Sequence, residues 1–170
     1  LIWYLENVFY YSFGNTYNYI KENILNNKDF NNNLMSVGFW PGGDRDGNPF
    51  VTPEITLQVA ERLKRTIIKN YYKDIRELKR RLTFKGVEDK LINIQDKLHE
   101  YVFLRNSKNT FSSKYLMDSL QEIKLIIVKD HQSLYLNLVD SLINKVKLFG
   151  SHFATMDIRQ DSRVHNSVFN

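Results

Sequence analysis

Cysteine is absent from this sequence, and so is any apolar run long enough to cross a membrane. Without cysteine the chain can form no disulfide bond, no thiolate metal site and no cysteine nucleophile. The first residues, Leu1 to Glu6, contain neither a basic leader nor a small-residue cleavage site, so they do not resemble a secretory signal. These absences fit a cytoplasmic protein that has no membrane partner.

The composition is that of one globular domain. The chain has 170 residues, of which 42% are hydrophobic and 25% are charged, and this length is enough to bury a core. We find no internal repeat and no low-complexity linker, so we expect residues 1–170 to form a single unit with no internal domain boundary. Because the sequence does not begin with methionine, we also expect it to be a fragment of a longer protein.

The net charge of +5 is spread along helical segments in which acidic residues are interleaved. This pattern favours a solvated helix surface over a nucleic-acid groove, and we expect no nucleic-acid partner. An anionic small-molecule ligand is equally compatible with it. The histidines lack the HxxxH or HxH spacing of a zinc site. They are His99, His131, His152 and His165.

Apolar residues recur at helical spacing over most of the chain. The predicted helices are Leu1–Asn26, Thr52–Leu82, Val87–Leu104, Lys114–Lys129 and His131–Leu148. A strong start signal, Thr52-Pro53-Glu54, opens the second helix with a capping hydroxyl, a proline and a carboxylate. The connections are an asparagine-rich turn at 26–33 and a polar loop at 105–110. Because the connections are short, the helices should pack antiparallel.

Each predicted helix has an apolar stripe that we expect to face the core. In the first helix the stripe is Leu5, Val8 or Phe9, Phe13, Tyr17, Ile20 and Ile24. In the second helix it is Ile55, Val59, Leu63, Ile67 or Ile68, Tyr71, Ile75 and Leu78. In the last helix it is Leu134, Leu138, Leu142 and Val146. The opposite face of the second helix is basic, which indicates a solvated surface.

Two segments have the pattern of short strands. Met35–Trp40 is an apolar run of strand length, and His152–Ile158 alternates loosely after the helix-ending Gly150. Because helices separate the two segments along the chain, we expect a parallel pair joined by a right-handed helical crossover. Their carboxyl ends would then lie side by side.

A polar, glycine-rich loop with the sequence GGDRDGNP, residues 42–49, follows the first strand. Glycine permits close backbone approach and positive φ, and Pro49 stops any regular continuation. Strand, charged loop and helix start, in that order, are how α/β enzymes place active-site groups. The alternative is a surface turn whose aspartates and arginine pair with each other, and loop chemistry alone favours neither interpretation.

Arg45 in this loop and Arg159 after the second strand would open onto one mouth if the strands are neighbours. Two guanidinium groups suit an anionic substrate, because arginine binds phosphate or carboxylate with a planar fork and keeps its charge. Asp44 and Asp46 can orient an arginine or ligate Mg²⁺. We favour orientation, since alternate residues of a tight loop seldom both face one ion. Asp157, inside the second strand, is expected to have a structural role.

Two stretches of the chain carry a resemblance to a known family. FWPGGDRDGNPFVT, residues 39–52, is followed much later by Phe149-Gly150 and by MDIRQDS, residues 156–162. In both motifs, in their order and in their separation, the chain resembles phosphoenolpyruvate carboxylase. The resemblance spans nearly all of the chain, which would be only a small part of a typical family member.

The resemblance implies a mainly helical enzyme built around a TIM-like (β/α)₈ barrel, of which this chain would carry two short parallel strands and several long helices. It implies a lyase that converts phosphoenolpyruvate and bicarbonate to oxaloacetate and phosphate with Mg²⁺. The implied intermediates are carboxyphosphate and the enolate of pyruvate. It also implies a cytoplasmic parent that is a homo-oligomer, a tetramer.

Site residues follow from the resemblance as well. Arg159, in the DIRQ stretch, matches the family arginine that binds the substrate phosphate, and Gln160 lies beside it in the same motif. The loop residues that match the lining of this mouth are Arg45, Asp44, Asp46 and Asn48. Arg159 and Arg45 would act catalytically by stabilising the metaphosphate-like charge of the transferred group.

Several parts of the family pattern are missing here. The catalytic histidine of a TAHPTE motif belongs upstream, and the metal-binding carboxylates and a second glycine-rich signature belong downstream. We therefore expect the Mg²⁺ ligands to lie outside this chain and the chain alone to be inactive. Asp161 stands where glutamate is common, and Arg163 is displaced by one position from the arginine of many members.

The alternative comes from a different class of protein. It is a helical interaction or regulatory module in which GGDRDGNP is a structural turn.

Overall fold

The computed structural model describes residues 1–26, 28, 35–46, 48–104 and 111–169. The predicted loop at 105–110 and most of the predicted turn at 26–33 lie outside these residues. In chain order the elements are helix α1 at residues 2–24, strand β1 at Gly38–Phe39, helix α2 at Pro53–Arg81, helix α3 at Glu88–His99 with a π-helical continuation at Glu100–Leu104, helix α4 at Ser113–Asp130, helix α5 at Leu136–Phe149, strand β2 at Thr155–Met156 and helix α6 at Ser162–Phe169. The mainly helical fold predicted from periodicity is confirmed.

Helix α1 contains two π-helical turns, and they explain which of its residues are buried. Leu5–Phe9 and Ile20–Ile24 are π-helical, whereas Ile2–Tyr4 and Tyr10–Tyr19 are α-helical. A π-turn contains an extra residue, so the inward position moves from Leu5 to Tyr10, and both are buried. The predicted inward positions Val8, Phe9 and Ile24 are wrong, because these three side chains are exposed.

Helix α2 begins as its start signal predicts. The Thr52 hydroxyl accepts a hydrogen bond from Ile55 N at 3.4 Å, and proline occupies the first turn. The predicted apolar stripe from Leu63 to Leu78 is buried. Ile55 is wrong as a core residue, since it is 38% exposed while its neighbour Thr56 is buried. The Thr56 hydroxyl faces inward because it donates a hydrogen bond to the carbonyl of Gly42 in the preceding loop, at 2.7 Å.

Helix α5 begins later than predicted. The residues before it include Gln132, Ser133 and Tyr135 with φ of 51°, 60° and 59°, a left-handed conformation that no α-helix continues. The helix therefore begins at Leu136 and not at His131. Leu134 lies in this turn and is exposed, so its predicted place in the core is wrong.

An aromatic cluster joins the helices to the second strand. Tyr10 stacks on Phe149 with 5.6 Å between ring centroids, and Phe149 contacts Phe153 at 4.9 Å. Tyr71 of α2 lies against Tyr10, and its hydroxyl donates to the carbonyl of Gly150 at 2.8 Å. This bond fixes the chain between α5 and β2 against the middle of α2.

Among the described residues, no helix is both long enough and apolar enough to cross a membrane.

A buried ionic cluster also ties α1, α2 and α5 together. Asp74 Oδ2 accepts from Lys145 Nζ at 2.7 Å and from the Tyr10 hydroxyl at 2.8 Å. Lys145 Nζ also lies 4.7 Å from the centre of the Tyr10 ring. Gly14 packs against the lysine stem, where a Cβ would approach Lys145 Cε to 2.9 Å. Burial, followed by the negative charge of Asp74, raises the pKa of Tyr10 well above its usual value.

Asp74→Ala should lower the free energy of unfolding by about 3 kcal/mol, because it leaves the largely buried Lys145 ammonium without its counter-ion. Urea unfolding at neutral pH measures this loss. The control is Glu122→Ala, which removes an exposed partner of Lys90 at 2.7 Å and should cost at most about 1 kcal/mol. Equal losses in the two variants would contradict the importance of the buried cluster.

Glu6 forms a second link between α1 and α2. Its Oε1 lies 2.7 Å from both Lys69 Nζ and Lys73 Nζ, and its backbone carbonyl accepts from the Asn70 side chain. Burial alone would raise the pKa of the Glu6 carboxyl, but the two lysines outweigh burial and lower that pKa below its usual 4.5. The charged form is therefore stabilised in the folded state, and this stabilisation is lost as pH falls through the folded pKa.

Glu6→Gln should destabilise the protein by roughly 1 kcal/mol at pH 7, and the difference from wild type should shrink as pH falls below 4.5. Urea titrations of both proteins between neutral and acid pH measure it. Glu77→Gln, in the exposed pair with Arg80, is the control and should show little difference at any pH. A constant Glu6→Gln effect across this range would show that the carboxylate charge is not what stabilises the link.

Candidate active-site mouth

The two strands pair in parallel, as predicted. Gly38 lies opposite Thr155 and Phe39 opposite Met156. Thr155 N donates to Val37 O at 2.9 Å, and Asp157 N donates to Phe39 O at 3.1 Å. Each strand is shorter at both ends than the segment predicted for it, Met35–Trp40 for β1 and His152–Ile158 for β2.

The pairing resumes beyond the strands and joins the two motifs. Arg45 N donates to Arg159 O at 2.9 Å, and Arg159 N donates to Gly43 O at 3.0 Å. Asp44 and Arg159 are thereby paired as in a parallel sheet. The structure therefore brings the backbones of the GGDRDGNP loop and the DIRQ stretch into direct contact, which confirms their predicted proximity.

Two glycines make this contact possible. Gly42 has φ of +83°, and a Cβ there would lie 2.6 Å from Val59 Cγ2. A Cβ on Gly43 would overlap the backbone oxygen of Asp157, the residue that directly follows β2. Any side chain at residue 43 would therefore force the two motifs apart.

Arg45 is turned toward the start of α2. Its Nη2 donates to the Thr56 hydroxyl at 3.0 Å, and the side chain is half-buried. Its Nε is enclosed and has no hydrogen-bond partner among the described residues. The Thr56 hydroxyl in turn lies 2.7 Å from Gly42 O and 3.2 Å from Thr52 O. The loop, the helix start and the arginine thus meet at one buried hydroxyl.

Arg159 has different surroundings. Its Nε and Nη2 lie 3.0 and 2.8 Å from Asp157 Oδ2, and its side chain is 62% exposed. The Arg45 guanidinium thus bonds a residue of α2, whereas the Arg159 guanidinium bonds a residue of its own segment. That both guanidinium groups open onto one mouth stays a prediction.

The other predicted site residues make local hydrogen bonds. The Asp44 carboxylate accepts from Asp46 N at 3.3 Å, and Asn48 Oδ1 accepts from Phe50 N at 3.1 Å. Gln160 Oε1 accepts from the next backbone N–H at 3.1 Å. Asp46 and Asn48 are exposed. The bonds of Asp44 and Asn48, each to the N–H two residues on, are those of Asx turns and shape the glycine-rich loop. Gly47 lies outside the described residues.

Charge at the mouth is mostly paired. Arg163 donates to Asp161 through its side chain and its backbone, and both bonds lower the pKa of Asp161. The Thr52 hydroxyl, then the backbone N–H of Glu54, and the charge of Arg45 lower the pKa of Glu54. The ionised forms of Asp161 and Glu54 are therefore stabilised by these neighbouring groups.

The residues at the mouth do not fit the Mg²⁺ that the family resemblance implies. Asp157 and Asp161 each bond an arginine. Within the described ranges, no group of three or more His, Cys, Asp or Glu side chains converges as a metal site would require. We therefore derive no chemical step through a metal from these residues.

Sequence reasoning missed two features of the site. The sequence patterns did not predict Thr56 as a site residue, although a threonine four residues after the capping Thr52 can hydrogen-bond back to the Thr52 carbonyl. Helix α6, Ser162–Phe169, was also not predicted. The residue that could have indicated the start of α6 is Asp161, because its carboxylate accepts a hydrogen bond from Arg163 N at 2.8 Å as a helix N-cap does.

Fold and site together define a class: a mainly helical protein in which parallel strands present arginine-bearing loops at their carboxyl ends. The family model described as phosphoenolpyruvate carboxylase matches residues 2–108 and 81–170 of this chain. The chain belongs to the phosphoenolpyruvate carboxylase family.

Curated relatives carry the same name. The phosphoenolpyruvate carboxylase of Shewanella loihica is 31% identical over 157 residues, which cover 76% of this chain and 18% of the relative. That of Nitrosomonas eutropha is 28% identical, with 79% of this chain and 19% of the relative covered. That of Aeromonas salmonicida is 28% identical, with 76% and 18% covered. The chain thus spans less than a fifth of the length of these relatives.

Gly43→Ala should separate the two motifs and lower the free energy of unfolding by about 3 kcal/mol, because the new Cβ meets backbone that cannot move alone. Urea unfolding measures the loss, and faster hydrogen exchange of the Arg45 and Arg159 amides would locate it. Gly38→Ala in β1 is the matched control, since a Cβ there meets nothing within 4 Å. If the two alanine variants behave alike, the close approach at Gly43 is not required.

Proposed function

We propose that this chain is the part of a phosphoenolpyruvate carboxylase that holds the phosphate of its substrate. The complete enzyme would be a lyase that converts phosphoenolpyruvate and bicarbonate to oxaloacetate and phosphate. The observation that carries the proposal is the main-chain pairing of the GGDRDGNP loop with Arg159, since it joins the two motifs on which the resemblance to the family rests. Carboxyl ends of parallel strands are where α/β enzymes place such groups.

Arg159 is the residue to which we assign the substrate phosphate. Its guanidinium group has five N–H donors, and Asp157 Oδ2 accepts from only one side of it. The exposed remainder can bind a phosphate oxygen by charge-assisted hydrogen bonds. Asp157 then has the structural role of fixing the direction of the arginine.

The proposed chemistry needs positive charge at the phosphoryl group. Bicarbonate oxygen attacks phosphorus, the bond to the enol oxygen breaks, and carboxyphosphate and the enolate of pyruvate result. Carboxyphosphate then releases CO₂ and phosphate, and the enolate carbon attacks CO₂ to give oxaloacetate. Arg159 and Arg45 would stabilise the charge that spreads over the phosphoryl oxygens during transfer. Asp44, Asp46, Asn48 and Gln160 would shape the loops that hold them.

The rest of the proposal concerns what lies beyond these residues. The strand pair would be part of a (β/α)₈ barrel, and Mg²⁺ and its ligands would come from elsewhere in a cytoplasmic homotetramer. Trp40, Phe50 and Leu57, near the loop, are 59%, 81% and 72% exposed. Large apolar side chains that are this exposed favour a further part of the protein packing over them. The chain alone would be inactive.

A second candidate function is a helical interaction module in which the loop is only a turn. The hydrogen bonds of Asp44 with Asp46 N and of Arg45 with Thr56 favour it, because they are internal to the fold. The two functions differ in one respect that can be measured. Only the carboxylase function requires Arg159 to bind an anion.

Arg159→Ala should lower carboxylase activity of the complete protein by about 10²-fold or more, because a donor aimed at transition-state charge is lost. Oxaloacetate and phosphate are followed with Mg²⁺ and bicarbonate present. Arg80→Ala is the control for loss of an exposed arginine of α2 and should keep full activity.

Phosphate titration of the present chain separates the two candidates. Shifts of the backbone signals of Ile158 and Gln160 on adding phosphate, absent in Arg159→Ala, would support the carboxylase function. The interaction module would be favoured if the complete protein had the same carboxylase activity with and without Arg159→Ala, and if neither form of the present chain bound phosphate.

A further inference from the structure

Thr56 occupies an unusual position for a polar side chain. It lies in the first turn of α2 and is only 7% exposed. A buried hydroxyl needs hydrogen-bond partners, or its burial costs free energy. Its partners are loop atoms: the hydroxyl donates to Gly42 O at 2.7 Å, with Thr52 O at 3.2 Å as the other acceptor, and it accepts from Arg45 Nη2 at 3.0 Å.

Two anchors determine where the Arg45 guanidinium lies. The backbone is held by the bond from Arg45 N to Arg159 O, but the long side chain would still rotate freely about its own bonds. The hydrogen bond to Thr56 is the contact that fixes the guanidinium end. The Thr56 hydroxyl therefore determines where the guanidinium charge of Arg45 is located.

The position of Arg45 has a cost. Its Nε is enclosed without an acceptor among the described residues, and an unpaired buried N–H is unfavourable. A free arginine side chain would avoid this by extending into water. A locally unfavourable arrangement such as this unpaired Nε is expected at functional sites, where other interactions compensate for it. The bond to Thr56 is such an offsetting interaction.

From these contacts we infer that Thr56 is a positioning residue, which holds the Arg45 guanidinium in place for anion binding at the mouth. The inference deepens the proposed function and rests on it for the identity of the anion. Threonine suits the role because its hydroxyl donates to the Gly42 carbonyl and accepts from arginine at the same time. Valine has the same shape but can do neither, and serine can do both.

The test compares Thr56→Val and Thr56→Ser with wild type in the present chain. NMR reports the rotation rate of the Arg45 guanidinium, whose signal is identified by its loss in Arg45→Lys, and a titration with inorganic phosphate reports affinity. In Thr56→Val the rotation should become fast and the phosphate Kd should rise about tenfold, as expected for one hydrogen bond to a charged group. Thr56→Ser should match wild type in both measurements.

Thr66→Val is the matched control. Thr66 is another buried threonine of α2, 6% exposed, and its hydroxyl donates to Arg62 O at 2.8 Å, away from the loop. Its loss should affect stability without changing Arg45 rotation or phosphate affinity. If Thr56→Val does not fold, Thr56→Ala removes the same hydroxyl without adding a methyl group.

Each outcome decides one claim. Unchanged Arg45 rotation in Thr56→Val overturns the positioning role, and so does faster rotation with unchanged phosphate affinity. Absence of phosphate binding by wild type overturns the proposed function instead. The rotation measurement needs no ligand, so the two failures can be told apart.

Discussion

The contact between the backbone of residues 43–45 and Arg159 is the constraint on which the candidate site depends. Two hydrogen bonds, Arg45 N to Arg159 O and Arg159 N to Gly43 O, continue the parallel ladder past the ends of both strands. They fix where each loop begins, and every proposed site residue follows within a few positions. Because Gly43 lies directly against Asp157 O, this contact tolerates no side chain.

Helix α2 supports both halves of the contact. Near its start, Thr56 bonds the loop at Gly42 and at Arg45, and near its middle, Tyr71 bonds the carbonyl of Gly150 ahead of β2. A rigid helix that bonds the loop after β1 and the segment before β2 holds these two parts of the chain in a fixed relation. Farther along, Asp74 anchors α2 to α1 and α5 through Tyr10 and Lys145. The ionic cluster therefore contributes to the site indirectly, by holding the helix that holds the loops.

Local patterns predicted much of this fold, and the failures have physical causes. The helix start at Thr52 and the parallel strands followed from capping chemistry and crossover geometry. The inward face of α1 was misplaced because its π-turns add a residue, which a constant helical period cannot reveal. The residue pattern placed Arg45 and Arg159 together, but it did not predict the hydrogen bond from Arg45 to the Thr56 hydroxyl, because that bond depends on how α2 packs against the loop. Thr56 was missed for that reason.

The pairing of Gly38 with Thr155 has a consequence for the order in which the molecule folds. Strands at opposite ends of the chain can meet only after the intervening helices have brought them together, and this closure costs entropy that local contacts do not. Helical hairpins such as α4 with α5 need no such closure. We therefore expect the mouth to form after the local helical contacts, because its two motifs lie far apart along the chain.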